Sequence, residues 1–130
     1  MMEPSLVQRA DSFADEAIGW FAGHRPFVEK LTHARRVQAR LMALGVHDED
    51  VLAAARLFPI FPVGQINMPL ISESMAIGDQ MAEATGLATT VLAQEVAALA
   101  GYAYGKWPDK PSSAALVILQ ADDWGRRNPA

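Results

Sequence analysis

His33 and the tandem carboxylates Asp122 and Asp123 are the side chains of this sequence best suited to chemistry. Imidazole and carboxylate groups are common ligands of divalent cations. A single histidine within a helix is more often a surface or hydrogen-bonded residue than a metal ligand. The two aspartates lie near the end of the last predicted helix, where the helix macrodipole disfavours negative charge. We therefore expect local ion pairs with Arg126 and Arg127, a residual pocket being the alternative.

Other catalytic patterns are missing from the sequence. The serines lack the flanking residues of a nucleophile elbow, and the nine glycines are dispersed and do not form a phosphate-binding loop. There is no HExxH motif and no cysteine, so zinc-protease, thiolate-metal and disulfide chemistry are excluded. The candidate chemistry therefore depends on how the helices position His33 and Asp122.

Helical periodicity dominates the first half of the sequence. Apolar residues at three- and four-residue steps predict a first helix: Leu6, Ala10, Phe13, Ala14, Ala17, Ile18 and Phe21. A second helix is predicted from Pro26 to Leu44, before a stop at Gly45. Its expected inward residues are Phe27, Leu31, Ala34, Val37, Leu41 and Leu44. Asp48 is placed to cap a third helix that ends before Pro59.

The second half predicts three more helices after an irregular connection from Pro59 to Pro69. Ser72 or Ser74 opens the fourth helix, and Gly86 separates it from a fifth that ends at Gly101 or Gly105. Ser112 or Ser113 caps the last helix, which ends near Gly125. The apolar residues that the last two helices carry are Val91, Leu92, Val96, Leu99, Ala115, Leu116, Ile118, Leu119 and Ala121. One competing interpretation is a buried strand over Ala114 to Leu119. The prediction is a single all-α domain over residues 1–130, a bundle of about six helices.

The overall composition excludes several classes of partner. A net charge of -4 argues against a nucleic-acid binder. The local cluster Arg35, Arg36 and Arg40 is expected to be a solvated helix face. No apolar run approaches the ~20 residues of a membrane span. Because the N-terminus also lacks the features of a signal peptide and cysteine is absent, we expect a cytoplasmic protein.

Three segments in order resemble the hydrolase half of the RelA/SpoT alarmone enzymes, a branch of the HD superfamily. The first is Leu31-Thr32-His33-Ala34-Arg35-Arg36-Val37, followed by Leu41-Met42-Ala43-Leu44-Gly45; the second runs from Asp48 to Pro59; the third runs from Leu116 to Arg127. Between them, Thr85-Gly86-Leu87 and the helix that follows are similar to the family's Phe-Gly segment. Order and spacing carry the resemblance over roughly residues 25 to 128, and it implies an HD-domain-like bundle.

The resemblance implies which residues stand at the metal site. HD enzymes bind a divalent cation, typically manganese, through two histidines and two aspartates, and the metal activates water against a phosphorus ester. His33 matches the first histidine and Asp122 the last aspartate, whereas Phe58 and Pro59 replace the central His-Asp pair. Pro62 and Val63 replace the acidic pair downstream. We therefore expect no bound manganese unless the site is reorganised, and no hydrolysis of guanosine tetraphosphate by this route.

The same resemblance suggests how a nucleotide would be bound. His24 and Arg25 lie where the family carries basic residues toward the nucleotide, although an exposed loop before Pro26 accounts for them equally well. Arg126 falls where the late motif carries asparagine. The Phe-Pro substitution is similar to that of synthetase-only members, whose hydrolase half has decayed.

Two interpretations of Phe58 and Phe61 stay open. Without a metal, apolar groups can fill the former cavity and gain burial energy, about 1.5–3 kcal/mol per large side chain. Alternatively, they form an exposed apolar patch that docks a partner.

Three hypotheses about function follow. The first is a catalytically inactive HD-fold regulatory or interaction module, with a guanosine nucleotide as a candidate ligand. The second is a metal-dependent phosphohydrolase with an altered site around His33, Asp122 and Asp123. The third is an unrelated helical bundle whose only role is association with other chains. The sequence is shorter than the family's hydrolase domains, so either the fold is trimmed or a second copy covers the exposed helix faces, and a homodimer is expected. The first hypothesis predicts that His33 and Asp122 converge with Phe58 nearby.

Overall fold

Six α-helices build the part of the chain that the structure, a computed structural model, describes, namely residues 3–20, 23, 25–61, 71–100 and 110–128. In chain order they are α1 (Leu6–Trp20), α2 (Arg25–Ala43), α3 (Glu49–Leu57), α4 (Ile71–Thr85), α5 (Leu87–Leu99) and α6 (Ser113–Arg127), with a short 3-10 turn (Phe58–Ile60) after α3. No strand occurs in these ranges. The prediction of an all-α bundle of about six helices is confirmed.

Side-chain caps start two of the helices at the expected residues. The carboxylate of Asp48 accepts hydrogen bonds from the backbone N–H groups of Asp50 and Val51 at the start of α3. The hydroxyl of Ser112 accepts from the N–H of Ala115 at the start of α6. Each cap satisfies N–H groups that have no partner within the helix. Ser112 therefore fixes the start of α6, and the stretch 114–119 is helix and not the alternative strand.

The predicted ends of the helices lie close to the observed ones. Helix α3 ends at Leu57, before Pro59 as predicted, and a 3-10 turn follows in which proline occupies an early position that needs no N–H donor. Helix α6 passes through Gly125 to Arg127. The fourth helix begins at Ile71, just before the expected serine cap. The predicted ends of the fifth helix, Gly101 and Gly105, lie outside the described residues.

Four apolar residues of the predicted helices are exposed, and Leu44 is the one among them that was expected to face inward. They are Leu44, Val91, Leu99 and Leu116. Leu44 lies in the turn beyond the end of α2, where the helical periodicity no longer applies. The other three lie at helix edges next to buried neighbours, because the apolar runs of α5 and α6 are wider than the faces that these helices bury.

Helix α3 is the centre of the described bundle. It packs against α1, α2, α5 and α6, and every residue from Val51 to Leu57 is buried. The three consecutive alanines Ala53, Ala54 and Ala55 are fully buried, since small side chains let neighbouring helices approach on several sides. Large apolar residues fill the remaining space: Phe27, Leu31, Val37, Leu41, Phe58, Ile60, Met81, Val96 and Ile118.

Two of the helices that touch α3, α2 and α6, also pack against each other. Their contact brings together residues far apart in the sequence and positions the candidate site. None of the described helices combines the length and the apolar character that crossing a membrane requires.

Candidate functional site

His33 and Asp122 meet where α2 packs against α6. The Nε2 atom of His33 lies 2.8 Å from Oδ1 of Asp122, a hydrogen bond that joins residues 89 positions apart. The two side chains are 18% and 6% exposed. The predicted convergence of these two residues is confirmed, and the bond places an imidazole and a carboxylate in a largely desolvated position, where their interaction is stronger than in water.

Both oxygens of Asp122 are engaged. Its Oδ2 atom lies 3.1 Å from Nη2 of Arg126, one helical turn further along α6. The neighbouring Asp123 makes the parallel pair with Arg127, at 3.2 Å from Oδ2 to Nε. The expected local ion pairs are therefore present. They offset the unfavourable position of two carboxylates near the negative end of a helix.

Gly125 explains how His33 reaches α6. A Cβ atom at position 125 would lie 2.8 Å from Cε1 of His33, closer than a carbon contact allows. The imidazole therefore packs directly against the backbone of α6. The helix ends at Arg127, near Gly125 as predicted, and the glycine lies inside the helix, where it allows close packing of α2 and α6.

Phe58 and Pro59, the residues at the implied His-Asp position, are both buried in the 3-10 turn. This turn packs against α2, the helix that carries His33, and against α5. Phe58 is fully buried and Phe61 is 8% exposed. The interpretation of these two phenylalanines as an exposed docking patch is wrong, whereas burial at this position is observed. Pro62 and Val63 lie outside the described residues.

The residues present do not fit a manganese ion of the HD type. Such an ion needs several imidazole and carboxylate donors around one point. The described residues contain no group of three or more side chains arranged to hold a metal ion. His33 and Asp122 donate and accept one hydrogen bond between them, and the guanidinium of Arg126 places a positive charge against the remaining oxygen. Because a cation would have to displace both partners, this pair is a structural contact and not an open metal site.

The candidate nucleotide-binding residues are not gathered at one place. Arg25 is exposed and pairs with Glu29 on α2. It precedes His33 by eight residues, about 12 Å along a helix axis. Arg126 lies beside Asp122 on α6. His24 lies outside the described residues, so its role stays a prediction.

The arginine cluster on α2 is more than a solvated face. The Nη2 atom of Arg36 donates to the backbone oxygens of Gly125 and Asn128, at 3.3 and 3.4 Å. The guanidinium carbon of Arg40 lies 4.0 Å from the centroid of the Trp124 ring, a cation–π contact. Arg35 and Arg36 are exposed, as expected of a solvated face, and Arg40 is partly buried. Two of the three arginines therefore bind the last turns of α6.

Arg56 is the buried charged residue that the sequence analysis missed. Its side chain is 2% exposed and lies between α1 and α3, with Nη2 at 3.0 Å from Oδ1 of Asp15 and Nε at 3.5 Å from Oδ1 of Asp11. Its Nη1 atom also donates to the backbone oxygen of Leu31. Gln38 extends the network by donating to Asp11 and to the backbone oxygen of Leu52.

The environment of Arg56 has opposing effects on its pKa. Burial lowers the pKa below its ordinary value, and the carboxylates of Asp15 and Asp11 raise it in part. A guanidinium nevertheless keeps its proton in proteins. The network thus pairs a permanent positive charge on α3 with two carboxylates of α1. The signal in the sequence was the pair Asp11 and Asp15, one turn apart beside the apolar stripe of α1, facing an arginine within an alanine-rich helix.

Comparisons with protein-family models, with curated proteins and with solved structures give no match to this chain.

Proposed function

We propose that this chain is a catalytically inactive, HD-like helical module, similar to the hydrolase half of the RelA/SpoT enzymes, that acts by binding a guanosine nucleotide without hydrolysing it. The observation that carries the proposal is the closed array of His33, Asp122 and Arg126 on α2 and α6. His33 and Asp122 match metal-binding positions of the family, but here they bind each other and Arg126 in place of a metal ion.

The requirements for activating a water molecule also support binding without hydrolysis. A metal-dependent phosphohydrolase lowers the pKa of a bound water by coordinating it to a cation with open positions. At the positions where the resemblance expects the second histidine and the first aspartate, Phe58 and Pro59 offer no donor and are buried. The acid/base pair that would orient the water has no counterpart there. Binding without turnover is the activity that such a set of side chains supports.

The ligand and the location are part of the proposal. A guanosine nucleotide is what the resemblance implies, with His24 and Arg25 where the family carries basic residues toward the nucleotide. Arg126, at the position of an asparagine in the family's late motif, is a third candidate. We also propose a cytoplasmic location, in line with the absence of cysteine.

A thermal-unfolding titration tests this function. Guanosine tetraphosphate, GTP and GDP are each added with and without manganese. A ligand at one hundred times its dissociation constant stabilises the folded state by about 2.7 kcal/mol, which moves the unfolding midpoint by roughly 10 °C for a domain of this size. The expected result is a shift with nucleotide that is unchanged by manganese. A shift that requires manganese supports the altered-site phosphohydrolase instead, and no shift with any nucleotide overturns nucleotide binding.

A homodimer is a second element of the proposal. Leu87 and Val91 are exposed one turn apart on α5, so this helix presents an apolar face to solvent. Light scattering should give twice the 14.1 kDa mass of one chain. The double variant Leu87→Ser, Val91→Ser should give the monomer mass, and a wild-type mass of one chain contradicts the homodimer without bearing on nucleotide binding.

A further inference from the structure

The last turns of α6 carry an unusual concentration of guanidinium groups. Arg36 and Arg40 reach these turns from α2, and Arg126 and Arg127 belong to α6 itself. All four contact residues between 122 and 128, a length of about 9 Å along a helix. The acidic groups that pair with them are Asp122 and Asp123. We call these six residues and Trp124 the arginine–tryptophan surface.

The charge of this surface is opposite to that of the chain. Four guanidinium groups face two carboxylates, so the surface is positive, whereas the whole chain carries a net charge of -4. Capping of the helix accounts for Arg36, which donates to the terminal carbonyl oxygens Gly125 O and Asn128 O. Arg127 pairs with Asp123, but its side chain is 76% exposed, so part of its guanidinium faces solvent. The surplus positive charge can therefore be neutralised by an anion from solution.

Trp124 adds a feature that a simple anion does not need. Its side chain is 42% exposed although it is one of the largest apolar groups of the chain, and Arg40 lies 4.0 Å from its ring centroid. Because the Arg40 guanidinium lies over one face of the ring, a nucleobase would stack on the opposite face. Guanidinium groups in turn match phosphate oxygens in geometry and charge.

We propose that the arginine–tryptophan surface binds a nucleoside di- or triphosphate, with the base stacked on Trp124 and the phosphates held by Arg36 and Arg127. Arg126 contributes positive charge while it remains paired with Asp122. This inference rests on the proposed function, namely that the chain binds a nucleotide. It places the binding surface at the end of α6 and not at Arg25 or the His33–Asp122 pair. The contact with the phosphates needs no metal ion.

The test uses the full chain labelled with 5-fluorotryptophan, which gives one fluorine resonance for each of its three tryptophans. The variant Trp124→Phe identifies the resonance of Trp124 by its disappearance. GDP, GTP and inorganic pyrophosphate are then titrated separately. We expect the nucleotides to shift the Trp124 resonance the most, and pyrophosphate to bind about tenfold more weakly than GDP because it lacks a base to stack.

Two charge variants locate the phosphates. Arg36→Gln and Arg127→Gln should each weaken GDP binding about tenfold, the loss of one charge-assisted contact. The control is Arg9→Gln, which removes the same charge from an exposed position beside a groove between α1 and α4, and it should bind GDP as the wild type does. Arg127 is largely exposed, so its variant should fold normally, and the unfolding midpoint checks this.

The outcomes separate this inference from the proposed function. If GDP raises the unfolding midpoint but neither the Trp124 resonance nor the two charge variants respond, the surface is wrong and nucleotide binding stands. If GDP and GTP leave both the midpoint and all three resonances unchanged, both proposals are overturned. Equal affinity for GDP and pyrophosphate overturns the stacking of a base on Trp124.

Discussion

The imidazole of His33 lies against the backbone of Gly125, where a Cβ atom would meet Cε1 of His33 at 2.8 Å. A glycine inside a helix normally costs about 0.5–1 kcal/mol relative to alanine. At this position the absence of a side chain is what allows α2 and α6 to approach and the His33–Asp122 hydrogen bond to form. The close contact therefore offsets a helix-propensity cost.

Gly125→Ala should lower the free energy of unfolding by about 1–3 kcal/mol, because the added methyl group overpacks the contact with His33. The matched control is Gly78→Ala in α4, where an added Cβ makes only ordinary contacts of 3.6 Å or more. That variant should be stabilised by up to about 1 kcal/mol. Urea unfolding measures both, and equal effects of the two substitutions would contradict the role of His33. Removing the imidazole with His33→Ala should restore tolerance of Ala at position 125.

In the Arg56 network, removing the charged partners of the buried guanidinium should cost more stability than removing the guanidinium itself. The double substitution Asp11→Asn, Asp15→Asn leaves the guanidinium buried with neutral partners, and we expect a loss of about 2–3 kcal/mol. The loss is below that of a fully buried pair because the two carboxylates are half exposed. Arg56→Met removes the charge but keeps most of the side-chain volume, so it should change stability by only about 1 kcal/mol. Chemical unfolding compares the variants. A larger loss for Arg56→Met than for the double variant would show that the network stabilises the fold through charge attraction.

The start of α6 depends on Ser112. Its hydroxyl accepts from the N–H of Ala115 and also donates to Oε1 of Glu95, while its backbone N–H donates to Oε2. Ser112→Ala should cost about 1–2 kcal/mol, since it removes both a helix cap and the side-chain bond to α5. Ser113→Ala, one residue later at an exposed position, should stay within about 0.5 kcal/mol of the wild type. Thermal unfolding checks the pair, and a similar loss in both variants would rule out Ser112 as the cap.

Removal of metal ions by a chelator should leave the thermal stability of the protein unchanged. Because the described donors of the His33–Asp122 pair are engaged with each other and with Arg126, prolonged dialysis against EDTA is expected to leave the unfolding midpoint where it was. Readdition of manganese should also have no effect. A midpoint that falls by several degrees on dialysis and recovers with manganese would revive the altered-site phosphohydrolase.

Much of the local structure can be read from the sequence. The caps Asp48 and Ser112 act on N–H groups two or three residues away, and apolar periodicity acts over single turns of helix. Such signals are encoded within a few neighbouring residues, so helix number and most helix starts were predictable. The ends were less predictable. Leu44 shows this, because periodicity alone cannot tell where a helix gives way to a turn.

The sequence predicted which residues meet at the candidate site, but not all the contacts that they make there. His33 and Asp122 were expected to converge, and they do. Their engagement with Arg126 could be inferred from the one-turn spacing on α6, but the packing of His33 on Gly125 and the approach of Arg36 and Arg40 could not. These contacts depend on how α2 and α6 cross, which no pattern within either helix specifies.

The sequence by itself determined an all-α chain whose Phe58 and Pro59 offer no metal ligand, because side-chain chemistry and helical periodicity are local properties. Only the tertiary structure decided that Arg56 is buried, that Gly125 continues a helix, and that arginines of α2 gather around Trp124. The physical reason is that burial and contact between residues far apart in sequence follow from helix packing. Packing is a joint property of all the faces that meet, so the same residue can be solvated or buried according to its partners.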